Sequence, residues 1–259
     1  MKITFKIVYL IIFLLAGTLQ VNAAEKIDLL KTDWSFKGLF GKFDRGSLQR
    51  GYQVYTEVCA SCHSMKYVSY RNLAESGGPE FTEEQAKAIA ASFEITDGPN
   101  SDGEMFLRPA KLSDKFVMPY ENVKAAQAAN GGAYPPDMSV LAKARSGGVD
   151  YIYSLLLGYE DAPTGVTLDD GVYYNKYMYG NNIKMAEPLS DGLVEYSDGT
   201  TASKEQMAKD VTTFLMWAAE PHLESRHKMG FKAILYLIIL TILVYFSMKK
   251  IWSRIESEV

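Results

Sequence analysis

The run R-G-Y-Q-V-Y-T-E-V-C-A-S-C-H, Arg50 to His63, ends on two cysteines and a histidine in C-x-x-C-H spacing. That spacing is the attachment signature of a c-type haem: both thiols add to vinyl groups of the macrocycle, and the adjacent histidine ligates iron. Residues i and i+3 share a face of a helical turn, so Cys59 and Cys62 can reach two edges of the ring while His63 points at its centre. A redox dithiol or half of a zinc site would use the same C-x-x-C. The chain has only 2 Cys in 259 residues, so no second pair completes a zinc site, and a redox dithiol leaves His63 without a role. Two cysteines so close in sequence also cannot staple a fold by closing long loops.

Immediately upstream, Leu48, Tyr52, Tyr55 and Val58 recur at helical spacing, which predicts a helix capped by Ser47 that feeds straight into the haem site. Gly51 weakens that helix and reads either as a close crossing with another helix or as a tolerated glycine. A candidate partner stands near the far end of the domain. S-K-E-Q at Ser203 to Gln206 is a capping box, and it opens a run with Met207, Val211, Phe214, Leu215 and Ala218 on one stripe, closed by Pro221. The two helices are expected to pack together and hold the cofactor pocket between them.

Two apolar segments set the compartment. The first carries Lys2 and Lys6, runs through Ile7 to Ala16 and ends at V-N-A-A, which reads as a secretory signal over residues 1–24. The second, Phe231 to Met248, holds a single charge, Lys232, near its end, and is apolar all round; it reads as a transmembrane anchor. Lys249, Lys250 and Arg254 follow, so the positive-inside rule puts residues 249–259 in the cytoplasm and the domain of residues 25–230 across the membrane. With no Arg-rich targeting segment at the start, the expected location is the bacterial cytoplasmic membrane, with the domain in the periplasm.

Lys plus Arg number 27 and Asp plus Glu 31, a formal net charge of -4, so a chain-wide basic footprint is missing and nucleic acid is excluded as a partner. Six of the basic residues (Lys2, Lys6, Lys232, Lys249, Lys250 and Arg254) and two of the acidic ones (Glu256 and Glu258) lie outside the exported part. That part keeps 21 basic and 29 acidic residues, a balance of -8. A field of this sign speeds encounter with a cationic partner.

Iron held by one histidine keeps a second axial position, and its occupant decides the function. An open position binds oxygen or peroxide; a methionine there makes an electron carrier of raised potential. Among 11 Met, Met185 stands out because N-N-I-K-M-A-E-P is a polar, proline-marked loop with no helical stripe for it to join. Met138, after Y-P-P-D, and Met118, before Pro119, are the next candidates. His222 and His227 flank the membrane segment and read as surface residues.

From Trp34 to Met248 the sequence resembles the cytochrome c1 family, the membrane-anchored c-type subunits of the cytochrome bc1 complex. W-S-F-K-G-L, R-G-Y-Q-V-Y-T-E-V-C-A-S-C-H-S-M, D-G-P-N-S-D-G-E-M-F-L-R-P, A-A-N-G-G-A-Y-P-P-D-M-S, I-K-M-A-E-P-L and D-V-T-T-F-L-M-W-A-A-E-P-H carry the resemblance. It implies one covalently attached haem c, with Cys59 and Cys62 as the thioether cysteines, His63 as the proximal ligand and Met185 as the distal one. It also implies that Arg145, in K-A-R-S-G-G, contacts a haem propionate, and that Tyr151 and the Pro135-Pro136 turn line the pocket. The partners implied are cytochrome b, the Rieske iron-sulfur protein and a cytochrome c as acceptor. Two departures stand out. Glu187 replaces an expected proline, and no cysteine remains for the disulfide that tethers the Met185 loop in some bacterial members. That loop is expected to rely on packing, with Tyr173, Tyr174 and Tyr177 as available bulk.

The fold expected from all this is mainly α: a class I cytochrome c-like haem domain with long insertions, plus one C-terminal transmembrane helix. Strand content should be small. One short hairpin is expected over Leu193 to Thr201, where L-V-E-Y-S-D-G-T-T alternates around an Asp-Gly pair. The function expected is electron transfer within a quinol–cytochrome c oxidoreductase. A stand-alone tethered cytochrome and a haem peroxidase are the alternatives.

Overall fold

A computed structural model describes residues 27–256. The expected signal segment lies outside the described residues. Within them the chain is mainly helical, and two helices far apart in sequence form its centre.

Helix α1, Arg45–Glu57, buries Leu48, Gly51, Tyr52, Val54 and Tyr55 along one face. Its cap is Asp44 rather than Ser47: the Asp44 carboxylate accepts the Ser47 N–H at 2.7 Å. Ser47 is freed for a different task, since its hydroxyl donates at 2.6 Å to Asp210, a carboxylate fully removed from solvent on the opposing helix. That opposing helix crosses α1 directly at Gly51. A Cβ built on Gly51 would stand 2.1 Å from the Asp210 carbonyl oxygen and 2.8 Å from Phe214 Cβ, so the glycine is a contact point and any larger residue would force the helices apart.

The partner is the helix Lys204–Ala219, the sixth in chain order; it is capped by Ser203, whose side chain accepts the Gln206 N–H. It buries Met207, Val211, Phe214, Leu215 and Trp217, with Ala218 half-buried at the edge. The capping box is only half formed. Gln206 sends its side chain to Asp210 at 2.9 Å instead of back to its own N-terminus, because a buried carboxylate needs every donor it can reach. Arg50 completes the set with Nε at 2.8 Å from Asp210 and also reaches Asp198 at 2.7 Å. Around this crossing Tyr52, Tyr55, Tyr70, Phe116, Phe214 and Trp217 pack ring on ring at centroid distances of 4.9–6.0 Å.

Long insertions separate the two helices. They hold α2 (Glu83–Ala91), an antiparallel pair β1 (Glu94–Asp97) and β2 (Phe106–Pro109), and the short helices α3 (Val123–Ala129) and α4 (Leu141–Ala144). They continue with α5 (Gly148–Leu157) and a two-residue antiparallel pair, β3 (Tyr173–Tyr174) with β4 (Asn182–Ile183). Lys204–Ala219 is therefore α6. The hairpin expected over Leu193 to Thr201 is not formed. Val194 and Tyr196 are both buried, and residues 193–201 run as turns laid over α1, with the Glu195 carbonyl accepting from Gln53 at 3.0 Å. Alternation there marks which side chains face the core, and the strands form elsewhere.

Helix α7, Leu223–Glu256, is 34 residues and thus ~51 Å long. It is long and apolar enough to cross a membrane, and its apolar stretch is exposed rather than packed in the core. The helix starts well ahead of Phe231. Glu224 in its first turn is buried, accepting the Phe43 N–H at 3.0 Å and a bidentate pair from Arg45 at 2.7 and 3.0 Å, which ties α7 to the start of α1.

Candidate haem site

Helix α1 gives way to a 3-10 turn at Cys59–Ser61, because a tight turn is what brings Cys59, Cys62 and His63 together. The Cys59 carbonyl accepts both the Cys62 N–H at 3.1 Å and the His63 N–H at 2.9 Å. Both thiols are free and half-buried. Burial pushes the Cys59 thiol up to about 12, the opposite of the depressed thiolate a redox dithiol uses.

His63 is 9% exposed. Its Nδ1 lies 2.9 Å from the Pro136 carbonyl oxygen, which can only accept, so Nδ1 carries the proton and Nε2 is left unprotonated. Burial holds the imidazole below its ordinary range, opposed by the same Pro136 bond, and so keeps it neutral. A neutral imidazole with its second nitrogen fixed by a backbone carbonyl is the form that binds a metal. Among the described contacts Nε2 has no hydrogen-bond partner. Two free thiols on one turn and an unclaimed imidazole nitrogen beside them fit a covalently attached haem.

The Pro136 carbonyl is itself held. Residues 136–139 form a strap laid along residues 63–67: the Met138 N–H donates to the Ser64 carbonyl at 2.8 Å, and the Tyr67 N–H to Ser139 Oγ at 3.0 Å. Asp137 accepts the Ser64 hydroxyl at 2.7 Å, the Lys66 N–H at 3.0 Å and, through its other oxygen, the Ser139 N–H at 3.0 Å. Burial pushes the Asp137 carboxyl up, but the Lys66 N–H together with Ser139 and Ser64 holds it below the usual carboxylate range. Tyr55 of α1 adds a bond to the His63 carbonyl at 3.3 Å.

Met185 sits on a separate support. It follows β4, half-buried, with its carbonyl accepting the Tyr159 hydroxyl at 3.0 Å. The β3–β4 hairpin is pinned to the end of α5 by Asn175, which is fully buried. Its side-chain N–H donates to the Leu155 carbonyl at 2.8 Å and its oxygen accepts the Tyr177 N–H at 3.0 Å. On the flanks of Met185, Lys184 reaches the Gly131 carbonyl at 2.9 Å, Glu187 pairs with Lys204 at the start of α6, and Leu189 is in the core. The expected tyrosine packing is thus only partly found: Tyr177 is buried, Tyr174 is half-buried and Tyr173 is exposed.

Tyr151 on α5 is half-buried and points its hydroxyl at Met178 Sδ, 3.4 Å away. Burial raises its pKa, and the positive charge of Arg145 nearby works against that rise. Arg145 is exposed and makes no ion pair among the described residues. Met138 is packed in the core, whereas Met118 is largely exposed. His222 is exposed, and His227 lies 3.2 Å from the Gly41 carbonyl.

The Cytochrome C1 family description matches residues 34–255. This chain belongs to the cytochrome c1 family. It is 52% identical over 239 residues to cytochrome b/c1 of Bradyrhizobium diazoefficiens, aligning 85% of this chain but spanning only 35% of that protein. It is 50% identical to cytochrome c1-2, heme protein, mitochondrial, of Solanum tuberosum, with 87% of this chain and 85% of that one covered. It is 45% identical to cytochrome c1 of Rhodospirillum rubrum over 93% of each chain. As a family member it is a c-type cytochrome.

Four contacts around the cytochrome c1 site were not legible beforehand. Pro136 entered as a pocket wall, but its contact with His63 is made by a backbone carbonyl, a group every residue carries. Asp137 bonds Ser64 and Lys66 just after His63, Tyr159 bonds the Met185 carbonyl, and the Tyr151 hydroxyl meets Met178, all across the fold. Aspartate directly after Y-P-P was the one available signal, since a carboxylate in a turn seeks nearby N–H donors.

Proposed function

We propose that this chain is the electron-transfer subunit of a bacterial quinol–cytochrome c oxidoreductase, the bc1 complex, carrying single electrons from a Rieske iron-sulfur protein to a cytochrome c. One covalently bound haem c supplies a one-electron ferric/ferrous couple at this site. Cys59 and Cys62 tether it through thioethers. His63 through Nε2 and Met185 through its thioether sulfur would ligate the iron, and a site with both ligands in place would exchange electrons rather than bind oxygen or peroxide, so the chain would make and break no substrate bond. Arg145, exposed and without a carboxylate partner among the described residues, would balance a propionate, with Tyr151, Pro135 and Pro136 lining the pocket.

The observation that carries the reading is the His63 Nδ1 to Pro136 bond, which fixes the tautomer a metal needs beside two free thiols. The acidic balance supports a basic acceptor docking through a small, transient interface. A relative whose name joins b to c1 supports cytochrome b as a partner. Helix α7 with Lys249 and Lys250 near its end supports an anchor in the bacterial cytoplasmic membrane, with the haem domain in the periplasm.

Purification of the full chain from membranes in mild detergent tests this. Its mass should exceed that of the polypeptide by one haem, its spectrum should be low-spin, and cytochrome b and a Rieske protein should co-purify. Met185→Leu should keep the added mass, turn the iron high-spin and lower the potential by a large part of the ~0.8 V that axial ligation spans. A polypeptide without the added mass, or an unchanged spectrum in Met185→Leu, overturns the proposal.

A further inference from the structure

Between the core residues Phe36 and Phe43 the chain makes an excursion, K-G-L-F-G-K, that carries Leu39 and Phe40 at its tip, 79% and 72% exposed. Its base is rigid. Trp34, Phe36 and Phe43 are buried and packed together, with the Phe36 ring stacked 5.6 Å from Trp34 and tilted against Phe43 at 5.1 Å between centroids, and the Trp34 Nε1–H donates to buried Asp150 at 2.6 Å. The Lys42 N–H closes the excursion onto the Ser35 carbonyl at 3.0 Å, and Gly41 donates to Gly38 at 3.3 Å. Gly38 holds φ at 87°, a conformation glycine adopts without strain. A Cβ on Gly41 would stand 2.2 Å from the Phe36 carbonyl oxygen, so the turn is wound against its own base. Leu39 and Phe40 are therefore fixed outward. A rigid apolar pair of this kind marks an interaction surface.

Its position says what covers it. The Phe40 ring meets the ring of Phe231 at a centroid distance of 5.8 Å, and Phe231 opens the long apolar run of α7. Leu39, Phe40 and Phe231 share one cleft with Lys42, Lys228 and Lys232, three exposed cations on a chain that is otherwise acidic. The acid in that cleft, Glu224, is already claimed by Arg45. An apolar tip level with the start of a membrane span, ringed by lysines whose stems can snorkel, matches the boundary between acyl chains and anionic headgroups. We propose that the Gly38–Gly41 turn dips into the bilayer beside α7, forming a second, lipid-embedded contact that sets the tilt of the haem domain over the membrane. The proposal rests on α7 spanning the membrane.

The test uses the full-length holoprotein, in which the native cysteines are consumed by thioethers, reconstituted alone into vesicles of phosphatidylcholine with phosphatidylglycerol. Nitroxide labels are placed singly at Leu39→Cys, at Leu237→Cys within the span and at Tyr179→Cys on an exposed loop. The label at position 39 should be several-fold more accessible to oxygen than to an aqueous nickel chelate relative to position 179, and shallower than position 237. Adding Phe40→Asp should return position 39 to aqueous values while the haem spectrum stays unchanged. Aqueous values at 39 with 237 embedded overturn the turn's insertion and leave the span intact; aqueous values at both overturn the span. Shielding at 39 that appears only in the purified complex assigns the surface to a protein subunit and also overturns the proposal.

Discussion

The two candidate iron ligands of this cytochrome c1 stand on supports of different kinds. His63 ends a turn that continues directly from α1, the helix locked against α6 by Gly51 and the buried Asp210 cluster, and a strap of backbone and carboxylate bonds runs along residues 63–67. Met185 hangs from a two-residue hairpin, itself tied to α5 by one asparagine and to Tyr159 by one hydroxyl. The first support shares the cooperative core, so it gives way only when the domain does. The second holds the methionine itself through one backbone bond and is joined to the central helices by an exposed ion pair, so it is the side expected to open locally first. If His63 and Met185 ligate an iron as proposed, the methionine should be the ligand that is released first under strain.

That contrast can be broken at Asp137. Asp137→Ala removes the acceptor of three hydrogen bonds in the strap and should destabilise the domain by about 2–3 kcal/mol, measured by thermal or denaturant unfolding. Because the carboxyl is held below its ordinary range when folded, its contribution is full above the usual carboxylate range and fades as pH falls through the lowered value. Wild type and variant should therefore converge in acid. A variant as stable as wild type at neutral pH would show that the strap is not what fixes the proximal side.

Tyr159→Phe probes the other side. Losing the hydroxyl bond to the Met185 carbonyl should cost about 1 kcal/mol, felt in the loop rather than in the whole domain. Exogenous imidazole or azide should then displace the methionine about five-fold more readily, while the unfolding midpoint hardly moves. Equal losses in both measurements would mean that the two sides unfold as one.

The smallest effect is expected at Glu187. Its partner Lys204 opens α6, so this pair links the Met185 loop to the central helices at the position where proline was anticipated. Glu187 is about half exposed, and Glu187→Gln should change loop opening by no more than ~0.5 kcal/mol, less still at high salt. A larger effect would make this ion pair the functional substitute for the absent disulfide.

Helix positions were legible wherever the pattern was local. The stripe from Leu48 to Tyr55, the cap at Ser203 and the apolar run from Phe231 each depend on residues a turn or two apart. Gly51 was legible only as a choice, because a glycine contact is decided by a helix that returns from the far end of the chain. The expected cap at Ser47 failed for the same reason: Asp44 took the cap and Asp210, from α6, took the hydroxyl. The expected hairpin failed because burial of Val194 and Tyr196 against the core imitates strand alternation.

The sequence by itself determined the family and the residues that could hold its haem, since C-x-x-C-H is a pattern confined to one turn of backbone. It also determined the anchor, which is a matter of composition and length. Only the tertiary structure decided which carbonyl orients His63, what restrains Met185 without a disulfide, and which apolar residues stay outside the core. Those are distances between segments far apart in the chain, and a linear pattern carries no record of them until the core has formed.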